Sequence, residues 1–357
     1  MTAGTGVRPA PPVRPRGRTV RVGRLVSLRV DRRATVACIA MLVATLVVCV
    51  VALGTGDYPM APGTVLKALA GQGSQADIFI ILTLRLPRVL AALLIGAAFG
   101  VAGAVYQSLS RNPLGSPDVI GFTQGSATGA LVQILVVGGT SAQIAGSSLI
   151  GCFLTVAVVY LLAYRQGVQG YRLVLIGIGL SAMLTAVNEY LILKADINDA
   201  ERAQVWLTGS LNGAGWESVG PVAAVLVVLY PLALAYGARM RILEMGDDMA
   251  RGLGIRTERT RIVLLAVATV LTAVATAAAG PIQFIALAAP QVAKRVAGTP
   301  SVGLVSASCM GALLLVSSDL AAQRLFPAQL PVGVMTVTVG GLYLAWLLYR
   351  ERRKGRG

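Results

Sequence analysis

Apolar stretches of about twenty residues recur along this chain, separated by short segments rich in Gly, Pro and charge. A helix that crosses a bilayer needs roughly 20 largely apolar residues. That length predicts spans near 34–53, 88–107, 119–137, 144–164, 172–193, 218–237, 260–279, 303–321 and 332–349. A shorter apolar stretch, 281–297, is interrupted by Pro281 and Pro290 and lies between the seventh and eighth of these. Counting it as a crossing makes ten. Gly and Ala crowd the spans, as in Gly96–Gly100 and Gly103–Ala104. In lipid, small residues that let backbones approach closely replace the hydrophobic drive between helices. The expected fold class is therefore an all-α membrane protein, with about ten transmembrane helices in a compact bundle.

Charge orients that bundle. Residues 1–33 carry nine arginines against Asp31 alone, residues 350–357 carry five basic residues against Glu351, and residues 238–261 carry six arginines. With the N-terminus inside, Arg111, Arg165, Arg172, Lys294 and Arg295 also fall on the cytoplasmic side. The outward segments 54–84 and 195–216 hold mainly Asp57, Asp77, Asp196, Asp199 and Glu201. This is the positive-inside bias. Nine crossings would reverse the last loops against it, so ten crossings with both termini cytoplasmic fit best. The organisation expected is a basic disordered tail over 1–33, a transmembrane domain over 34–350 and a basic cytoplasmic tail over 351–357, in a multi-pass protein of the cytoplasmic membrane surrounded by lipid.

Composition removes several function classes. The chain of 357 residues is 55% hydrophobic and only 13% charged, with a mean hydropathy of +0.74; a soluble domain carries about twice that charge. The net charge of +16 sits mostly in the tails, and the first 33 residues contain no aromatic residue to stack on bases, so no nucleic acid is expected. The absence of histidine excludes His-based metal sites and Ser-His-Asp chemistry. Cys38, Cys49, Cys152 and Cys309 lie in apolar runs without paired spacing and read as small buried hydrophobes. No enzyme activity, metal or cofactor is expected. The polar groups within spans, Asn188, Glu189 and Asp319, stand near outer ends, and no acid is placed mid-span as an ion-coupled transporter needs. No Gly-rich stretch ends in Gly-Lys-Ser/Thr. Energy for uphill transport would have to come from another subunit, with an ATPase-independent secondary transporter as the alternative.

Four segments stand out at helix ends. Leu84-Arg85-Leu86-Pro87-Arg88 puts two arginines on the outer side, against the positive-inside bias; they either snorkel to the interface or meet an acidic partner outside. Gln107–Pro117 is a rigid inner loop with two prolines. Glu244–Gly254 reads as a short helix with acids in its early turns and Gly-x-Gly near its end; it is either a structural loop or a face for a cytoplasmic partner. Gly280–Gln291 breaks a helix at a depth where free backbone groups must be buried or line a cavity, a recurring feature of translocation sites.

Taken in order, these segments resemble the FecCD-type permeases of ATP-driven importers of iron-siderophores, haem and vitamin B12. The family's LRLPR, RNPLxxPxxxG, GD-xx-A-xx-LG, AGxIxF and ELPVG-type patterns are matched at Leu84–Arg88, Arg111–Gly121, Gly246–Gly254, Ala279–Phe284 and Gln329–Gly333. The resemblance implies a permease paired with itself or a paralogue, two cytoplasmic ATPase subunits and an external solute-binding protein. It implies docking of that protein on Arg85, Arg88 and Arg324, although Arg324 stands one position later than the common pattern. It implies coupling to the ATPase through Gly246, Asp247, Asp248, Ala250, Leu253 and Gly254, and a pathway at the broken helix of Gly280, Pro281, Phe284, Pro290 and Gln291. Where the family commonly has Pro-His, this chain has Pro290-Gln291, a variant that looks like catecholate-type importers, which commonly work as unlike pairs. The cargo implied is a ferric siderophore, with vitamin B12 or haem as alternatives in the same class.

Overall fold

The computed structural model describes residues 18–22, 26–163 and 170–354. The rest of the basic tail, the inner loop around Arg165 and the last three residues lie outside the described residues. Within the tail, Arg18–Val22 (β1) and Val26–Val30 (β2) pair as an antiparallel hairpin with Arg18 opposite Val30. Alternate positions in these strands are apolar, as in Val20 and Val22 or Val26, Leu28 and Val30, which suits a two-residue repeat.

Everything after the hairpin is helical. The helices are α1 (Arg32–Gly54), α2 (Pro62–Leu69), α3 (Gln75–Phe79), α4 (Leu86–Ser110), α5 (Phe122–Val132), α6 (Ser141–Ala163) and α7 (Gly170–Lys194). They continue as α8 (Ile197–Leu207), α9 (Trp216–Glu244), α10 (Asp247–Gly252), α11 (Thr257–Ala279), α12 (Ile285–Ala297), α13 (Leu304–Arg324) and α14 (Val332–Lys354). Wider π turns at Ile80–Arg85 and Gln133–Val137 continue α3 into α4 and extend α5. Among the described residues, seven helical segments are long and apolar enough to cross a membrane: Arg32–Gly54, Gln75–Ser110, Ser141–Ala163, Val174–Lys194, Trp216–Glu244, Thr257–Ala279 and Leu304–Arg324. Phe122–Val137 and Val332–Trp346 are apolar but shorter, and α12 has only 13 residues. Segments 54–84 and 195–216, expected as outer connections, contain α2, α3 and the amphipathic α8.

Local chemistry sets the helix ends. Asp31 caps α1 by accepting from the Arg33 amide at 3.0 Å, the usual service of an N-cap aspartate. Pro87 lies in the first turn of α4, where its missing N–H costs nothing. Gly246 and Gly254 take φ values of 117° and 78° and isolate α10 from its neighbours.

The core is built on α4, which is buried from Gly96 to Ser108 with Ala97 alone half-exposed. It packs on α13, α9, α11 and α12. A Cβ on Gly96 would strike the Gly311 carbonyl of α13, and one on Gly103 would strike the Ala286 carbonyl of α12. Backbone approach, not side-chain interdigitation, therefore sets these crossings. More than half of the α11 and α13 spans is buried, against 11% for α7. The outward faces of α1, α6 and α9 are lined by exposed Leu, Ile and Val, a surface that lipid satisfies and water does not.

Candidate functional site

The three groups of residues singled out in the sequence occupy three levels of the bundle. At one end, Arg88 makes a two-pronged pair with Asp319 of α13, Nη2 to Oδ1 at 2.8 Å and Nε to Oδ2 at 3.0 Å. Asp319 is buried and also accepts from Gln323 Nε2 at 2.8 Å. Arg88 is therefore an internal brace between α4 and α13, not a free docking cation. Arg85 donates to the Leu53 and Tyr58 carbonyls at 2.7 and 2.6 Å and fixes the corner after α1. Arg324 reaches the exposed Asp57 at 3.5 Å. An open groove of about 280 Å³, lined by Asp57, Tyr58, Arg85, Arg88, Gln323 and Arg324 among others, separates them.

At the middle level the chain leaves helix after Ala279. Gly280 (φ 73°) and Pro281 carry it across, and α12 starts behind Phe284, whose backbone is left-handed at φ 69°. The turn around Gly209 joins the neighbouring segments: Ser210 N–H donates to the carbonyl of Ala279, the last residue of α11, at 2.8 Å, and Gly333 N–H donates to Gly209 O at 3.0 Å. The Phe284 ring lies where a Cβ on Gly340 of α14 would be. Pro290, expected to break the helix, lies inside α12. It removes the N–H that would bond the Ala286 carbonyl, and Gly103 accommodates that carbonyl. Gln291 donates to Gln107 Oε1 at 2.6 Å, and Gln107 Nε2 donates to Leu287 O at 3.0 Å. Charge counting along the spans did not single out Asp118, from the loop before α5. Its Oδ2 accepts from the Phe284 amide at 3.3 Å and its Oδ1 from Thr123 Oγ1 at 2.7 Å. It ties the residue just ahead of α12 to another part of the chain, and no local sequence signal marks a partner 166 residues away.

At the opposite end from Arg88, α10 stands on a charged clasp. Asp247 is shared by Arg111, at the end of α4, and Arg261 of α11. Arg111 Nε also donates to Leu243 O at 3.1 Å, Ser108 Oγ meets Glu244 Oε1, and Tyr160 OH reaches Glu258 at 3.4 Å. Burial alone would raise the Asp247 carboxyl, but Arg261 and Arg111 outweigh it and hold it below the ordinary aspartate value. Glu244, read as the start of the short helix, ends α9 instead. Ala250 is buried, while Asp248 is exposed and Met245, Met249 and Leu253 are exposed too. Met245 and Leu253 flank α10 and Met249 lies within it, so exposed apolar residues stand at both ends and in the middle of this segment. Arg295, at the end of α12, stacks on Tyr343 and Trp346 of α14 at 5.6 and 5.1 Å.

Several spanning helices around a core helix, a broken helix behind Phe284 and a short exposed helix wired inward by salt bridges define a transport permease. The chain belongs to the FecCD transport family, whose profile matches residues 44–350. It is 48% identical over 326 residues to the ferric enterobactin transport system permease protein FepG of Escherichia coli, covering 91% of this chain and 99% of that protein. It is 36% identical over 331 residues to the probable siderophore transport system permease protein YfhA of Bacillus subtilis, covering 90% and 96%. A solved inward-facing metal-chelate type ABC transporter chain superposes with a TM-score of 0.78 at 25% identity, covering 88% of this chain and 99% of the other. The protein is a multi-pass permease of the cytoplasmic membrane.

Proposed function

We propose that the chain is the permease subunit of an ATP-driven importer of ferric siderophores, receiving cargo from an external solute-binding protein. The observation that carries the reading is α10. Its Asp247 is turned inward onto Arg111 and Arg261, while Met249 within it and Met245 and Leu253 on either side of it are exposed. A surface of that kind suits a separate ATPase subunit. The cargo follows the relatives, which are named for ferric enterobactin and siderophore transport.

In this reading the chain crosses ten times with both termini cytoplasmic: the seven long segments, the two shorter apolar helices and α12. Two such permeases enclose the pathway and two ATPases drive it. Docking of the binding protein falls first on Arg85 and Arg324, which line the outer groove, because Arg88 is committed to Asp319. ATP binding moves α10, and differential contacts in the two states of the bundle shift access from one side to the other. The pathway is largely apolar, so specificity rests with the external protein.

The test is reconstitution of the permease with its ATPase and binding protein in proteoliposomes, with radiolabelled ferric catecholate as cargo. ATP-dependent uptake competed by ferric catecholate, but not by haem or vitamin B12, is the expected result. Uptake that needs no ATPase and follows the proton gradient would replace the class; ATP-driven uptake of haem or vitamin B12 alone would replace the cargo.

A further inference from the structure

Among the described residues, only two that are not glycine have left-handed backbone: Arg111 at φ 50° and Phe284 at φ 69°. They are far apart in sequence, yet the loop 111–121 touches both. Its first residue, Arg111, grips α10 through Asp247 and the Leu243 carbonyl. Its Asp118 accepts the Phe284 amide at the head of α12. Backbone strain of order 1–3 kcal/mol per residue persists only where surroundings over-determine it, and here it marks the first residue of this loop and the residue that its Asp118 holds.

The segment between them is stiff. Pro113 and Pro117 fix two φ angles. Asn112 Oδ1 accepts from the Leu114 amide at 2.9 Å, and the Gly115 amide donates to Asn112 O at 2.9 Å. Ser116 is buried, and its Oγ accepts from the Val119 amide at 3.2 Å. Ile120 is buried, and Gly121 (φ 86°) lies against Gly177 and Ser181 of α7. A segment with its own hydrogen bonds and two prolines transmits a push rather than absorbing it.

We propose that the loop 111–121 is the strut that carries displacement of α10 to the broken helix α12, with Arg111 and Asp118 as positioning residues for transport. The inference rests on the importer reading of α10 and deepens it. When α10 moves, Asp247 pulls Arg111; the loop moves as a body; Asp118 draws the Phe284 amide and with it the head of α12. The contacts Ser108–Glu244 and Gln107–Gln291 form a parallel, weaker link. Proximity alone is not coupling; what coupling requires is that both sites bias the same element.

A series arrangement has a signature that two independent structural defects lack. In the reconstituted full transporter, Arg111→Ala and Asp118→Ala each cut ATP-driven uptake about tenfold. The double variant falls no further, because both break one chain. Multiplied losses, about a hundredfold together, overturn the strut, as does wild-type uptake by either single variant. A wild-type protein without ATP-driven uptake would instead overturn the importer reading, so the two failures are distinct. A second measurement leaves the strut intact, in case the variants fail to insert. With the four native cysteines replaced by alanine, spin labels at Asp248→Cys and Leu114→Cys keep one distance distribution with and without ATP, while Asp248→Cys to Val137→Cys shifts. A shift in the first pair, or none in the second, overturns the proposal.

Discussion

The two ends of the bundle use the same chemistry for opposite purposes. At one end the buried Asp319 has both carboxylate oxygens satisfied by the partly buried Arg88; at the other, Asp247 is shared by two arginines, and its side chain and that of Arg111 remain partly exposed. The first pair joins two core helices, α4 and α13, that already touch backbone to backbone through Gly96 and Gly311. The second joins a six-residue helix that has little else to hold it. An ion pair added to a tight crossing is a brace. The same pair under a short surface helix is a linkage that ties that helix to α4 and α11, as the proposed coupling requires.

Breaking the brace should have the largest effect. Asp319→Ala leaves the partly buried Arg88 without its carboxylate, which costs about 1–3 kcal/mol, and thermal unfolding in detergent should report it as a drop in midpoint. Replacing both residues with apolar ones of similar volume should recover most of the loss. An unfolding curve unchanged in Asp319→Ala would refute the brace. Altering the exposed side of the linkage's helix should leave the fold intact but stop transport. Asp248→Arg combined with Gly254→Trp alters the exposed side of α10, and at Gly254 any side chain meets a left-handed φ. Membrane insertion should persist while ATPase coupling is abolished; normal uptake by that variant would remove α10 from the coupling path.

The linkage also has a pH signature. A carboxyl held below its ordinary value contributes stability above the unfolded-state pKa and loses it as pH falls through the folded value. For Asp247 the clasp should therefore be constant from pH 8 to 5 and fail only below about pH 4, since unfolded aspartate titrates near 3.9. Limited proteolysis of the 244–254 region against pH reads this, and a loss centred between pH 5 and 7 would contradict it. The smallest effect is at the outer groove. Arg324 and Asp57 form an exposed pair worth about 0–1 kcal/mol, so Arg324→Ala should barely shift unfolding. Affinity for the binding protein should fall several-fold at low salt and less at high salt; no change at either salt would leave docking to Arg85.

Periodicity and length made the helices legible. Seven of the expected spans overlap helical segments long and apolar enough to cross, because twenty apolar residues have few other solutions in lipid. The stretches 119–137, 281–297 and 332–349 overlap shorter apolar helices or a 13-residue helix. The break after Ala279 was legible from Gly280 and Pro281, but Pro290 misled: a helix tolerates proline where a neighbour such as Gly103 accepts the displaced carbonyl. Short amphipathic elements were missed for a different reason. Helix α2 is only eight residues long, far short of a span, and α8 mixes polar and apolar positions so that no long apolar run marks it.

The amino-acid sequence alone determined the class of solvent, the helical rods and the family, since each follows from local composition or from motifs a dozen residues long. Which charges meet was decided only by the tertiary structure. Arg88 reads as a docking cation until α13 brings Asp319 beside it across 231 positions, and Asp118 is an unremarked loop acid until the head of α12 arrives. Pairing of that kind depends on how helices cross, and the crossings are set by glycines and carbonyls in contact, whose partners no local pattern names.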